Sequence, residues 1–332
     1  MIEVSAGIIR RADGAVLICR RGEGRHNAHL WEFPGGKREP GETAEDCLIR
    51  ELREELGLPV TGVNALCARE AEGIRFTFLT AETDAEPVLT EHEAAAFVPA
   101  RAMLRYAFCP ADEPVARALA LNEPRLRHFF WDFDGTLMDT YPMMTDAFVR
   151  AAASMGVSVG DDCALSLLKE TLAHGAKVIA AENGLDAEAL IAAFRREERM
   201  DAVPPVPGIP GALRAIRAMG GRHYLVTHRN RGALEALRAA GLLELFDDFV
   251  TSEDGFPRKP EPDMLLHLLR RHGLNPAECV MIGDRPLDTA AGRRAGMLSC
   301  LLDAEGRFLD DPCELRARSA GELAALLRPE RL

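Results

Sequence analysis

The sequence predicts an α/β protein built as two domains, the second a doubly wound parallel sheet. Three observations carry this reading. The chain has 332 residues, longer than one typical domain. In its second part, short apolar runs at 128–131, 225–227, 249–251 and 280–283 alternate with helical periodicities at 211–219, 232–240, 263–272 and 288–295. That alternation marks helices covering both faces of a parallel sheet. In its first part, strand-like runs flank one capped amphipathic helix at 43–57.

Composition narrows the function classes. An apolar content of 47% is ordinary for a globular chain. The net charge of -12 argues against a nucleic-acid or anionic-membrane surface, but not against nucleotides that bind through a metal. No apolar run approaches the ~18 residues of a membrane span, and the first residues lack a signal-peptide pattern. Eight cysteines are scattered without a C-x-x-C pair, which indicates neither a disulfide framework nor a zinc site. A reduced, cytoplasmic setting is the expectation. Oligomeric state has no signal.

The first domain opens with β-branched-rich runs at 4–10 and 15–20. Ala12-Asp13-Gly14 separates them, so they read as a hairpin. Thr43 with Asp46 makes a capping box, and Gly57 suits the position past the helix end. Cys47, Leu48, Leu52 and Leu56 form the buried stripe. Glu51, Glu54 and Glu55 fall at i, i+3 and i+4 and share a face. Like charges so close repel by roughly 4 kcal/mol per pair at ~4 Å near a surface, and no Lys is interleaved. Such a cluster suits a hard cation, Mg²⁺ with Mn²⁺ as the alternative, that also takes phosphate oxygens. A solvated acidic face is the plainer reading of three Glu alone. Gly35-Gly36-Lys37 is no P-loop, since Arg38 stands where Ser or Thr is needed and Trp31 where the first Gly is needed. Strand-like runs follow at 63–69 and 74–81, and a last amphipathic helix runs to about Leu121.

The stretch from Gly36 to Leu58 also fills the pattern G-x5-E-x7-R-E-U-x-E-E-x-G-U, with U a bulky aliphatic residue. The filling residues are Gly36, Glu42, Arg50, Glu51, Leu52, Glu54, Glu55, Gly57 and Leu58. This is the Nudix box. With the opening strands and Leu30 to Lys37, the first domain resembles the MutT-like Nudix hydrolases. The resemblance implies an α/β/α sandwich over 1–124 that cleaves a nucleoside triphosphate to monophosphate and pyrophosphate. Glu51, Glu54 and Glu55 would hold metal, with Glu54 also counted as catalytic, while Glu42 and Arg50 brace the box. A loop Glu would bind metal or act as base. Glu91 is the best match, Glu93 the competitor and a plain loop carboxylate the bland alternative. Phe33 is a base-contact candidate against core packing, and Arg21 a weaker candidate for a base or phosphate contact. Where the MutT-like pattern reads the purine with an Asn, this chain has Asp112. Ionised Asp only accepts hydrogen bonds, and a protonated one donates only if its pocket raises its pKa. Preference for 8-oxo-guanine is thereby in doubt, and pyrimidine or other modified triphosphates stay open. Asp112 could equally be a helix N-cap.

Residues 122–127, polar and containing Pro124, read as a linker. The run 128–131 delivers Asp132-Phe133-Asp134-Gly135-Thr136. Two Asp on alternate residues at a strand end point to one side, and Gly allows a sharp turn. Thr227 ends a second strand. Lys259 follows a third, and Asp284 and Asp288 follow a fourth. This ordered set closely resembles the motifs of the haloacid-dehalogenase (HAD) superfamily over 128–332. The resemblance implies a Rossmann-like core (128–140 and 207–332) with an α-helical cap (141–206), whose helices are expected at 141–155, 163–183 and 187–199. Asp132 would attack phosphorus, and Asp134 would act as acid and base. Thr227 and Lys259 would hold the phosphoryl oxygens. Asp284 would bind Mg²⁺ with Asp132 and Asp134, and Asp288 would complete the second shell or be the alternative ligand. Small nucleotides and phosphomonoesters are the implied partners, with no nucleic acid and no membrane.

Overall fold

The computed structural model describes residues 2–327 except 72, 124, 201 and 202, so Pro124 of the expected linker lies outside the described residues. The chain forms two compact units that meet between Arg125 and Leu126. No described helix is long and apolar enough to cross a membrane.

In the first unit β1 (Ile2–Arg10) and β2 (Val16–Arg20) form the expected antiparallel hairpin, with Arg10 opposite Val16. β3 (Trp31–Glu32) pairs with β2, and β4 (Gly35–Lys37) pairs with β1. After α1 (Ala44–Leu56) come β5 (Thr61–Ala71) and β6 (Ile74–Glu82). β6 runs parallel to β1 and antiparallel to β5. β7 (Ala94–Val98) pairs with β2, and α2 (Glu113–Asn122) closes the unit. Neighbouring residues of one strand serve opposite faces, as a pleat requires. Ile8 packs with Phe78, Val115 and Leu119, on the side of α2. Ile9 packs with Leu48, Leu52 and Leu56 of α1. The result is the expected α/β/α sandwich. Helix α1 starts where Thr43 Oγ1 accepts the Asp46 amide at 3.0 Å and stops at Gly57 in the left-handed region.

The second unit begins with β8 (His128–Trp131). Helices α3 (Tyr141–Ser154), α4 (Asp161–Glu170), α5 (Leu172–Asn183) and α6 (Ala187–Glu197) then form the cap around their own apolar centre, which includes Phe148, Leu168, Ile179 and Phe194. The core resumes with α7 (Ile209–Ala218), β9 (Arg222–Val226), α8 (Gly232–Ala239), β10 (Phe246–Val250) and α9 (Asp263–His272). It ends with β11 (Cys279–Gly283), α10 (Pro286–Arg294), β12 (Leu298–Leu302), β13 (Leu315–Ala317) and α11 (Ala320–Leu326). The sheet order is β10-β9-β8-β11-β12-β13, and every neighbouring pair is parallel. The chain winds outward from β8 through β9 to β10, then returns to β11 on the other side. The crevice at that reversal lies at the carboxyl ends of β8 and β11, where such sheets bind ligands.

Two expectations are corrected. The single cap helix over 163–183 is two helices, because Thr171 is extended (φ -161°, ψ 154°) and its side chain caps α5 by accepting the His174 amide at 2.9 Å. A Thr side chain that bonds its own backbone competes with helix continuation. The third core strand begins at Phe246 rather than at residue 249.

Phe130 is fully buried in central β8. Phe130→Ala is expected to destabilise the second unit by about 3–5 kcal/mol. A urea titration followed by circular dichroism tests this, and an unmoved midpoint would contradict it.

Candidate active sites

A cavity of about 560 Å³ opens in the first unit, walled by residues that include Arg21, Glu51, Glu55, Glu91, His92 and Asp112. Strand β4 lies close to the Glu51 side chain of α1 because of Gly36. A Cβ there would meet the Glu51 carboxyl carbon at 2.3 Å, so only glycine lets this carboxylate lie against the strand.

Arg50 organises the box. It donates to Glu42 at 2.9 and 3.1 Å, to the Lys37 carbonyl at 3.1 Å, to Glu51 at 2.8 Å and to Glu54 at 3.2 Å. The expected Glu42–Arg50 brace is present, and it holds the Glu42 carboxyl well below its usual range. The acidic face, however, is not uncompensated, because the planar guanidinium with its five donors reaches two of its three carboxylates, Glu51 and Glu54, besides Glu42. Nor do the three box acids share one environment. Glu51 and Glu55 wall the cavity, whereas Glu54 is 60% exposed and outside its lining. Burial pushes the Glu55 carboxyl up to about 7, with His92 opposing. One Glu55 oxygen is buried without a hydrogen-bond donor, and His92 Nδ1 lies 3.9 Å from it. An orphaned buried carboxylate oxygen beside Glu51 fits a divalent cation.

The two loop acids part company. Glu91 lines the cavity and pairs with Arg25. Glu93 pairs with His29 at 2.8 Å and Arg20 at 3.4 Å, outside that lining. The Phe33 ring is 3% exposed and packs against Phe78 and Phe108, so its bulk is core while its edge reaches the cavity. Arg21 pairs with Glu32, whose other oxygen lies 3.3 Å from His92 Nε2. Asp112 makes no capping contact with α2, which corrects that expectation. It sits in helical backbone geometry (φ -87°, ψ -32°) and turns inward to accept the Phe33 amide at 3.2 Å. Burial pushes its carboxyl up to about 8. Glu32, Cys109 and Asp112 gather within 4.8 Å. Glu32 falls within the Leu30 to Lys37 stretch and His92 between the two loop acids, but neither stands out in the sequence, since the group joins distant segments.

In the second unit the four motifs meet at the sheet crevice. Lys259, buried completely, lies 2.5 Å from Asp132, 2.6 Å from Asp288 and 3.0 Å from the Val226 carbonyl. Burial works to raise the Asp132 carboxyl, but Lys259 and Arg285 overcome it and hold the group below its ordinary value. Asp132, Asp284 and Asp288 gather within 4.8 Å. Burial pushes Asp284 up to about 7. Its Oδ2 accepts the Tyr141 hydroxyl at 2.7 Å, while Asp284 Oδ1 and Asp132 Oδ2 are buried without donors. Two orphaned carboxylate oxygens in one cluster fit a divalent cation. Asp134 does not join this group. Its carboxylate turns to Arg229 at 2.6 Å, which corrects its expected place among the metal-binding side chains. Gly135 at φ +69° allows the turn, since a Cβ there would meet Tyr141 at 2.3 Å and Asp284 at 2.6 Å. Thr227 Oγ1 is buried and accepts the Arg229 amide at 3.1 Å. The Lys259 amide donates to His228 Nε2 at 2.8 Å, and burial pushes this ring down to about 3, so it stays a neutral acceptor. The motifs gave no sign of Tyr141, His228, Arg229 or Arg285.

Comparison with known proteins agrees with both arrangements. A haloacid dehalogenase-like hydrolase model matches residues 126–296, just over half the chain, and a NUDIX domain model matches 1–119. The chain belongs to both families. CTP pyrophosphohydrolase of Escherichia coli K12 is 43% identical over 133 residues, 38% of this chain and 96% of the relative. Pyrophosphatase PpaX of Bacillus velezensis is 25% identical over 185 residues, 53% of this chain and 82% of the relative. A predicted phosphoglycolate phosphatase from Haemophilus somnus shares the fold over 61% of this chain and 98% of its own, with a TM-score of 0.55 at 16% identity. The chain is therefore a bifunctional hydrolase, a Nudix pyrophosphohydrolase domain followed by a HAD phosphatase domain.

The neutral Asp112 has a signature in stability. Its folded pKa of about 8 lies above the ordinary 3.8, so between these values the folded protein keeps a proton that the unfolded chain has lost. Stability from this group falls as pH rises through that window. Raising pH from 5 to 8 is expected to lower the melting temperature of wild type more than that of Asp112→Asn. Equal shifts would mean that Asp112 is ionised in the fold.

Proposed function

We propose that the first domain, residues 1–124, hydrolyses a cytosine nucleoside triphosphate to monophosphate and pyrophosphate, and that the second, residues 128–332, consumes one of those products. The observation that carries the base assignment is Asp112. A neutral carboxyl places one donor beside one acceptor. Cytosine offers the complement, an N3 acceptor beside the N4 amino donor, and adenine offers the same pair at N1 and N6, so the choice between them rests on a relative. The likeness to CTP pyrophosphohydrolase supports cytosine. Arg21, paired with Glu32 at the cavity wall, meets the base or a phosphate in this reading, and Phe33 walls the pocket.

Glu51 and Glu55 hold the metal from the cavity wall, and Glu54 joins them from the exposed edge. Glu91, in the cavity, is the base that takes a proton from the attacking water. In the second domain Asp132, kept ionised by Lys259, attacks phosphorus, and Lys259 and Thr227 hold the phosphoryl oxygens. Asp284 and Asp132 hold the second metal, while Asp288 anchors Lys259. Asp134 faces the leaving oxygen and later takes a proton from the water that hydrolyses the phosphoaspartate. The bound ions, Mg²⁺ or Mn²⁺, supply charge that gathers phosphate oxygens and polarises water. Cap residues 141–206 exclude bulk water from that step.

The test is to incubate the full chain with Mg²⁺ and a panel of ordinary and oxidised nucleoside triphosphates and separate the products by chromatography. Cytosine triphosphates are expected to react fastest. Glu51→Gln should slow their cleavage by roughly a hundredfold or more, the scale of metal charge stabilisation. Asp132→Asn should leave monophosphate and pyrophosphate to accumulate. A purine preference would sink the base assignment, and identical end products from wild type and Asp132→Asn would sink the two-step reading.

A further inference from the structure

The second domain holds, beside Asp134, a largely buried guanidinium that a phosphomonoester does not require. The phosphoryl oxygens already have Lys259 and Thr227. Arg229, only 14% exposed, lies beside Asp134, the group that faces the leaving oxygen. Its Nε is 2.6 Å from Asp134 Oδ1, and its Nη1 is 2.6 Å from Oε1 of Glu198, just past the last cap helix. The backbone places it, since its amide donates to Thr227 Oγ1 and its carbonyl accepts the Ser252 amide at 2.9 Å. Elsewhere in the unit Arg258, next in sequence to Lys259, is held below its ordinary value by burial and by Arg285 and Arg195. Arg195 and Arg258 have no carboxylate partner among the described residues.

A guanidinium on the leaving side binds a group that departs as an anion with oxygens in bidentate reach. A nucleoside leaves as a neutral alcohol and has no use for it. On the reading that this domain consumes a product of the first, the product that fits is the diphosphate. We propose that the HAD domain is an inorganic pyrophosphatase in which Arg229 holds the leaving phosphate, with Glu198 occupying that position until substrate arrives. Asp132 attacks one phosphorus, the P–O–P bond breaks, and orthophosphate departs with the bridging oxygen and its electron pair against Arg229. Water then attacks the phosphoaspartate, its proton passes to Asp134, and a second orthophosphate leaves. One pyrophosphate and one water give two orthophosphates.

The experiment measures kcat and KM of the full chain with Mg²⁺ on pyrophosphate, CMP and p-nitrophenyl phosphate, the last leaving as a phenolate that offers one oxygen and no phosphate face to a guanidinium fork. Wild type is expected to prefer pyrophosphate. Arg229→Gln should lower kcat/KM for pyrophosphate by roughly tenfold to a hundredfold, the scale of one lost charge-assisted hydrogen bond, and for p-nitrophenyl phosphate by only a few fold. Arg229→Lys should restore part of the difference. Glu198→Gln, which removes the competing carboxylate, should lower KM for pyrophosphate and keeps the test decisive if Arg229→Gln folds poorly. Equal losses on both substrates in Arg229→Gln, or a raised pyrophosphate KM in Glu198→Gln, would overturn the proposal. A wild type that cleaves CMP but not pyrophosphate overturns it and leaves the two-step reading standing. One that cleaves neither overturns both.

Discussion

Lys259 has no exposed side-chain surface, and the second unit is arranged around holding its charge. Removing an ammonium and a carboxylate from water costs several kcal/mol each, and only close, well-directed partners repay it. Here those partners are Asp132 at the end of β8, Asp288 in the first turn of α10 and the Val226 carbonyl at the end of β9. Three chain segments are thus tied to one ammonium, and the parallel sheet supplies the common end at which they meet. The same ammonium keeps Asp132 ionised, so one contact is structural and chemical together. The acids still outnumber their partners, which explains why two carboxylate oxygens are left facing the crevice.

The first unit meets a related problem nearer the surface. Arg50 is 24% exposed and spreads over Glu42, Glu51 and Glu54 where Lys259 is enclosed by two acids. Water shares the load there, so each contact is worth less, and the planar fork supplies geometry instead of point charge. It holds the loop end against α1 and leaves Glu55 to face the cavity. The two units therefore present carboxylate to phosphate chemistry by opposite means, a solvated fork in one and a dry ammonium in the other.

What the sequence made legible was whatever is encoded within one strand or one helix. The helical spacing of α1, the Thr43 cap and the Gly57 stop are local patterns, and the structure keeps them, whereas the alternate Asp residues at the end of β8 diverge, Asp132 to Lys259 and Asp134 to Arg229. The doubly wound parallel sheet was legible too, because alternation of strand and helix restricts the windings, but its strand order was not. What stayed hidden was long-range pairing. Arg229 meets Glu198 from a different element, and Glu32 meets His92 across 60 residues, so no periodicity announces either. The compensation of the acidic face by Arg50 was hidden differently: the residue was in plain view, but the reach of its fork is a matter of rotamer. Thr171 shows the remaining kind of miss, a single hydroxyl that outbids helix continuation.

The chain has two tryptophans, and they fall one to each unit. Trp131 is fully buried, immediately before Asp132, with its indole N–H donating to His223 at 3.0 Å. Trp31 is only half-buried, edge-on to Tyr106, in the strand that carries Glu32 to the wall of the first unit's cavity. A dry, hydrogen-bonded indole emits at shorter wavelength than one in contact with water. The protein thus has a separate intrinsic fluorophore next to each of its two sites, distinguishable by colour without any label.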